Sequence, residues 1–283
     1  MAEDAGLSLK SLVARLEDVV LEASQGDPII AAGLVAIYAA AMTSLGGLLV
    51  LPVAYSKTEA NPGKRLELFL DVGMGFSSGV MIAASFTSLL LPALEIASVL
   101  TVFASFVLGA LVIHVANYLI PHEHLVKGYE GPGFMKKKIK AAWLVATAII
   151  IHNLPEGMAI GAATSLDIVE GITVSLGIGT QDFPEGLAVA LPVYASTGSV
   201  PIALLIAFLS GFSEVVTALG TALFVGFYGG LLASALAFSA GAMVYVVSHE
   251  ALPESHRTGH EKQATLGFFL GFIIMLYLDT QLG

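Results

Sequence analysis

Charge is what this chain has least of. Only 12% of its 283 residues are Asp, Glu, Lys or Arg, while 56% are hydrophobic and the mean hydropathy is +0.86. Soluble domains carry about 25% charged residues, so half that share points to lipid as the solvent. Cysteine is absent, which excludes disulfides and thiolate metal ligands. Any metal centre must therefore be built from imidazole, carboxylate, amide and water. Basic residues are few, 12 against 22 acids, for a net charge of −10. They form no patch of the kind that nucleic acid requires. No GxxxxGK[ST] run occurs, so neither nucleotide nor organic cofactor is expected. The first residues lack the basic start, apolar core and small-residue cleavage site of a signal peptide, and none is expected.

What the chain does have is long apolar runs. Pro28–Ser56, Val72–Leu94, Gly186–Ser213 and Val215–Ser248 contain no charged residue, the last being interrupted by "GFYGG" at Gly226 to Gly230. A spanning helix needs about 20 mainly apolar residues. On that measure the sequence predicts eight spans, near 29–54, 67–94, 96–120, 141–163, 168–194, 200–226, 229–252 and 263–283. The fold class expected is an all-α polytopic membrane protein. All but Lys10 and Arg15 of the 12 basic residues fall after spans one, three and seven, in loops that share one side. That side is cytoplasmic by the positive-inside rule, and both termini are extracytoplasmic. Residues 1–27 form an N-terminal segment whose stretch 8–23 places Val13, Leu16, Val19 and Val20 at roughly helical spacing, as in an amphipathic surface helix. Residues 28–283 form the eight-span domain, with a His- and Lys-containing cytoplasmic loop over 121–140.

Against this background the ionisable residues inside the spans stand out, because a charge in hydrocarbon costs at least about 2.5–3.5 kcal/mol. "HNLPEG" starting at His152 on span four and "QDFPEG" starting at Gln181 on span five repeat one design. His152 and Glu156 are i and i+4, stacked on one helix face, and so are Gln181 and Glu185. Asn153 and Asp182 sit one residue on, turned by about 100°. With the two motifs level, Glu156 and Glu185 meet in the middle, flanked by His152 and Gln181 on one side and by Asn153 and Asp182 on the other. Glu214 on span six adds a further oxygen. No Lys or Arg within a span can pair with these acids, so a bound cation is the natural partner. The arrangement suits two adjacent metal ions bridged by carboxylates, and a donor set without sulfur favours Zn²⁺ and its first-row neighbours over Cu⁺.

Pro155 and Pro184 cannot donate to the carbonyls of Ile151 and Thr180, which predicts kinks in spans four and five. Gly157 and Gly186 permit close approach of neighbouring helices. His114 and Asn117 read as a polar contact between helices. A second group of donors, Asp71, His122, His124, His249, Glu250, Glu254, His256 and His260, consists of candidates for a relay leading ions into or out of the site. A lone His–Glu pair in a membrane is as often a structural hydrogen bond as a ligand set; two matched motifs with Glu214 favour the metal.

These residues carry a resemblance. "HNLPEG", "QDFPEG", "PHEH" from Pro121 and "VVSHEALPESHRTGH" from Val246 are similar to the ZIP (Zrt-/Irt-like protein) family of divalent metal transporters, in its bacterial GufA-type branch. The likeness runs from span one to the C-terminus. It implies uptake of divalent ions, chiefly Zn²⁺ with Cd²⁺, Fe²⁺ and Mn²⁺ as alternatives, across a bacterial inner membrane into the cytoplasm. It also implies a homodimer, a 3+2+3 arrangement of spans, and an elevator-like movement of spans one, four, five and six. The implied ligands are His152, Glu156, Gln181 and Glu185 for one ion, and Asn153, Glu156, Asp182, Glu185 and Glu214 for the other. Many members carry a second His where this chain has Gln181, so altered metal preference is expected. The competing readings are an intramembrane metalloenzyme, which lacks an HExxH motif and a spare acid here, and a metal sensor.

Overall fold

The computed structural model describes residues 9–55, 64–124, 128–131 and 141–282. A short helix, α1 (Leu9–Ser24), precedes the bundle. It buries Val13 and packs Leu16 and Val20 on the core, whereas Val19, expected on the same face, is exposed. Leu7, part of the same pattern, lies outside the described residues.

Helices form where the apolar runs predict spans, and local chemistry sets their ends. Asp27 caps α2 (Pro28–Gly47) by accepting from the Ile29 and Ile30 amides at 2.8 and 3.2 Å, with Pro28 at the first position. A cap of this kind contributes about 1 kcal/mol. The span continues as α3 (Val50–Tyr55). Span two is α4 (Lys64–Ala84), a π-helical turn at Ser85–Leu90, and α5 (Leu91–Ile96). Ser98 caps α6 (Val99–Leu119). Where a plain loop is expected, two short strands, β1 (His122–His124) and β2 (Gly128–Glu130), pair antiparallel with His122 opposite Glu130.

The two motif helices are α7 (Ala141–Leu166) and α8 (Ile168–Thr197). Asp167 separates and caps them, accepting from Val169 at 2.8 Å, and Gly198 ends α8 in the left-handed conformation, φ 65°. Both helices continue through their prolines. The last spans are α9 (Val200–Phe227); α10 (Leu232–Val246), which follows one 3-10 turn and continues through a second π-helical turn (Val247–Ala251) into α11 (Leu252–Ser255); and α12 (Glu261–Leu282).

Among the described residues, six helical stretches are long and apolar enough to cross a membrane: Pro28–Tyr55, Arg65–Ile96, Val99–Leu119, Val200–Phe227, Gly229–Ser255 and Glu261–Leu282. The chain is an α-helical multi-pass membrane protein. α7 and α8 carry the polar motifs and stand outside that set.

Packing sets four helices together, with two outer pairs laid against them through α4–α8 and α7–α10. α2, α7, α8 and α9 all pack against one another. Around them α4 pairs with α12 and α6 with α10. Within each group the helices touch through glycines. A Cβ at Gly186 would strike the Thr43 carbonyl and one at Gly46 the Phe183 carbonyl, across α2 and α8. Gly79 and Gly271 likewise face the Phe268 and Phe76 carbonyls across α4 and α12. Only a residue without Cβ allows such approach.

Candidate metal site

The two motifs lie level in the centre of the α2–α7–α8–α9 group, and their side chains converge. One ligand atom each from His152, Glu156 and Glu185 lie within 4.8 Å of one another, and so do those of Glu156, Asp182 and Glu214. Glu156 belongs to both sets. The face-sharing read from the i, i+4 spacing thus brings carboxylates from α7, α8 and α9 together, and all of these residues are buried.

Burying four carboxylates is costly unless each finds a partner, and the hydrogen bonds present cover only one side of them. Glu214 Oε1 accepts from Asn153 Nδ2 at 2.7 Å and from Thr43 Oγ1 at 3.2 Å. Glu156 Oε1 accepts from the Gln181 amide, and Glu185 Oε1 from Ser77 Oγ on α4. The opposite atoms have no partner: His152 Nε2, Glu156 Oε2, Gln181 Oε1, both oxygens of Asp182, and Glu214 Oε2. Each of them is a lone-pair donor, and the residues that bear them are His152, Glu156, Gln181 and Asp182 of the two motifs and Glu214 of α9. His152 Nε2 lies 3.8 Å from Glu185 Oε2, an N···O separation of the order expected for two ligands of one tetrahedral ion with bonds of about 2.0–2.2 Å. Groups placed this way can take the place of a divalent cation's water shell.

Asn153 meets the site through its amide nitrogen, as a donor to Glu214, with its oxygen on the other side of the same amide. Gln181 does the same toward Glu156. The hydroxyls of Thr43 and Ser77 are functional neighbours that sequence reasoning missed. Their only sequence signal is a polar residue in an apolar run, which many buried hydroxyls share by bonding back to their own helix, as Thr43 also does to Ala39 at 3.2 Å.

The relay candidates divide. Glu250, in the π-helical turn of span seven, reaches the central site: its Oε2 lies 3.4 Å from His152 Nδ1 and its Oε1 accepts from Asn117 Nδ2 at 2.7 Å. His122 and His249 form a separate cluster, with Nε2 atoms 3.7 and 3.5 Å from Glu130 Oε2. Glu130 was not among the candidates, because only the hairpin register sets it opposite His122. His122 Nδ1 bonds the Ile120 carbonyl at 2.7 Å. Asp71 is buried, and accepts from Thr258 Oγ1 and from His260 Nδ1 at 3.0 Å; the structure does not bring it to the central site. Glu254 pairs with Arg257 at 3.0 Å and His256 bonds the Leu252 carbonyl at 2.8 Å, both at the surface end of span seven. The side chain of His124 lies outside the described residues. His114 bonds Tyr245 at 3.0 Å, so it and Asn117 are contacts between α6 and span seven, as their spacing predicts.

Comparison with known proteins finds relatives named as zinc transporters. A sequence profile described as ZIP Zinc transporter matches residues 122–279. The zinc transporter GufA of Myxococcus xanthus is 41% identical over 264 residues, covering 89% of this chain and 99% of that protein. The zinc transporter ZIPB of Bordetella bronchiseptica is 36% identical over 256 residues, covering 86% of this chain and 78% of that protein. The human zinc transporter ZIP11 is 29% identical over an alignment covering 76% of this chain and 89% of that protein.

Proposed function

The chain belongs to the ZIP zinc transporter family, and from that premise we propose how it moves its ions and which residues it uses. It is a membrane transporter of divalent metal ions and not an enzyme. Our reading is that its chief substrate is Zn²⁺, with Cd²⁺, Fe²⁺ and Mn²⁺ as further candidates, and that two ions sit side by side. The first is held by His152, Glu156, Gln181 and Glu185, and the second by Asn153, Glu156, Asp182, Glu185 and Glu214. The observation that carries this reading is the convergence of unpartnered ligand atoms from three helices at one level. The four carboxylates of Glu156, Asp182, Glu185 and Glu214 sum to −4, which balances two divalent ions.

In this reading residues 28–283 are one transport domain of eight spans, α7 and α8 being spans four and five. The packing supports a 3+2+3 arrangement with internal two-fold symmetry. Exchanging span one with six, two with seven, three with eight and four with five turns the pairs α2/α8 and α4/α12 into α9/α7 and α10/α6, which are also closely packed. The π-helical turns obey the same exchange, one in span two and one in span seven, each followed by a Leu-Pro pair. Inverted repeats of this kind place a substrate at their interface.

An elevator movement of the α2–α7–α8–α9 group is supported by the glycine contacts. Within each group many glycines press against backbone carbonyls, although Gly33, Gly47 and Gly179 meet side chains there; between the groups Gly73 meets the Pro184 ring and Gly177 the Met275 side chain. Carbonyl contacts fix two helices, and side-chain contacts can be exchanged as they slide. Following the basic loops, transport runs into the cytoplasm of a bacterial cell across its inner membrane, with both termini outside. α6 and α12, the least buried spans at 17% each, leave apolar faces for lipid and for a second copy in a homodimer.

The test is uptake of ⁶⁵Zn²⁺ into sealed proteoliposomes by the native chain, Glu185→Ala and His152→Ala. Saturable uptake in the native chain that collapses in both folded variants is expected. Uptake that survives both substitutions would overturn the assignment of the site.

A further inference from the structure

Within the central site two ligands are braced from outside the four-helix group: Glu185 by the Ser77 hydroxyl on α4, and His152 by a carboxylate. The second ion's set is braced by Thr43 and Asn153, which belong to the same four-helix group as Glu214. His152 is braced from outside that group, by Glu250 on the π-helical turn of span seven, at 3.4 Å. Glu250 is itself fixed, since its other oxygen accepts from Asn117 on α6 at 2.7 Å. Both are nearly inaccessible, 8% and 2% exposed.

We propose that Glu250, held by Asn117, is a positioning residue that keeps His152 ready to ligate while the two helix groups stand in this relation. A neutral imidazole has one N–H and one lone pair. A carboxylate at Nδ1 takes the N–H, which leaves the lone pair on Nε2, and Nε2 is the unpartnered atom that faces Glu185. A carboxylate behind a metal-binding imidazole fixes both tautomer and ring plane, and removing such a support weakens metal binding about 10–100-fold. Because Glu250 and Asn117 lie on the surrounding helices, a displacement of the inner group withdraws the carboxylate from His152, as it also parts Glu185 from the Ser77 hydroxyl on α4. His152 ligates the first ion alone, so the first ion's affinity then depends on Glu250 and on the position of the inner group. This rests on the reading of His152 as a ligand.

The experiment is Cd²⁺ binding by calorimetry to the full-length protein in lipid nanodiscs, for the native chain, Glu250→Ala, Glu250→Gln and Asn117→Ala, alongside uptake kinetics in proteoliposomes. Glu250→Ala is expected to weaken one of two Cd²⁺ sites about 10–100-fold and to leave the other unchanged. Glu250→Gln restores most of the loss, because an amide oxygen accepts the same N–H, and Asn117→Ala gives a smaller loss at the same site. Should Glu250→Ala fail to fold, the pair Glu250→Gln and Asn117→Ala carries the comparison. Equal losses in Glu250→Ala and Glu250→Gln would mark Glu250 as a direct ligand and overturn the proposal, as would unchanged binding in all variants. Native protein that binds Cd²⁺ with this pattern but carries none would uphold the positioning role and overturn the transport site.

Discussion

The inner four helices and the outer four are joined internally by one device and to each other by another. Inside either group, glycine backbones press on neighbouring carbonyls: Gly186 on Thr43 and Gly211 on Ala40 within the inner group, Gly75 on Ala264 and Gly241 on Phe106 within the outer. Between the groups Gly73 and Gly177 meet the Pro184 ring and the Met275 side chain, and no carbonyl is nearest to either, although Gly33, Gly47 and Gly179 meet side chains within the inner group as well. The polar chemistry is divided just as unevenly. All seven candidate ligands belong to α7, α8 and α9, whereas the outer helices contribute hydroxyl, amide and carboxylate groups that touch the site from its edge. Such a division separates the part that holds an ion from the part that tells it where it is.

Substitutions at three glycines break that comparison in descending order. Gly186→Ala drives a methyl group into the Thr43 carbonyl, within 2.8 Å of the Gly47 amide nitrogen as well. Neither neighbour can yield without moving α2, so the loss belongs at or above the upper end of the roughly 1–3 kcal/mol typical of overpacking. A large fall in melting temperature, with little folded protein left to assay, is the expected result. Gly73→Ala places its methyl 2.6 Å from Pro184 Cβ, across the boundary between groups. The protein should fold and bind metal normally while transport slows. A barrier raised by about 1.4 kcal/mol means tenfold slower uptake, read as Vmax at unchanged KM. Gly177→Ala meets the sulfur of Met275, an unbranched side chain that repacks easily. Uptake within about twofold of native is expected, because adaptable contacts absorb such changes at low cost. If Gly73→Ala unfolded the protein as Gly186→Ala does, the boundary would be as rigid as the interiors and the two-group description would fail.

Much of this was legible in the sequence, for identifiable reasons. Span limits followed from the bilayer's thickness, and the boundaries of α2, α6 and α9 lie within a few residues of those expected. The clustering of the candidate ligands followed from periodicity: i, i+4 places His152 over Glu156 and Gln181 over Glu185 whatever the neighbours do. What remained hidden depends on distant parts of the chain. Glu250 reaches His152 only because a π-helical turn precedes Leu252, and nothing in "VVSHEALP" distinguishes that turn from an ordinary helix ending at a proline. Asp71 looked isolated in its span, since Thr258 and His260 lie far along the chain. Glu130 took its place through strand register alone.

The pairing of α4 with α12 also bears on how the chain is made. α4 is the second span to leave the ribosome and α12 the last. Until α12 arrives, the notched surface at Gly75 and Gly79 has no helix to fill it, and Asp71 lacks both of its donors. Contacts between distant segments form late and leave sticky intermediates exposed. The unfinished chain must therefore carry an open seam from the emergence of α4 until α12 is made. A premature stop between them would leave that seam open for good, and α12 serves as the closing stitch.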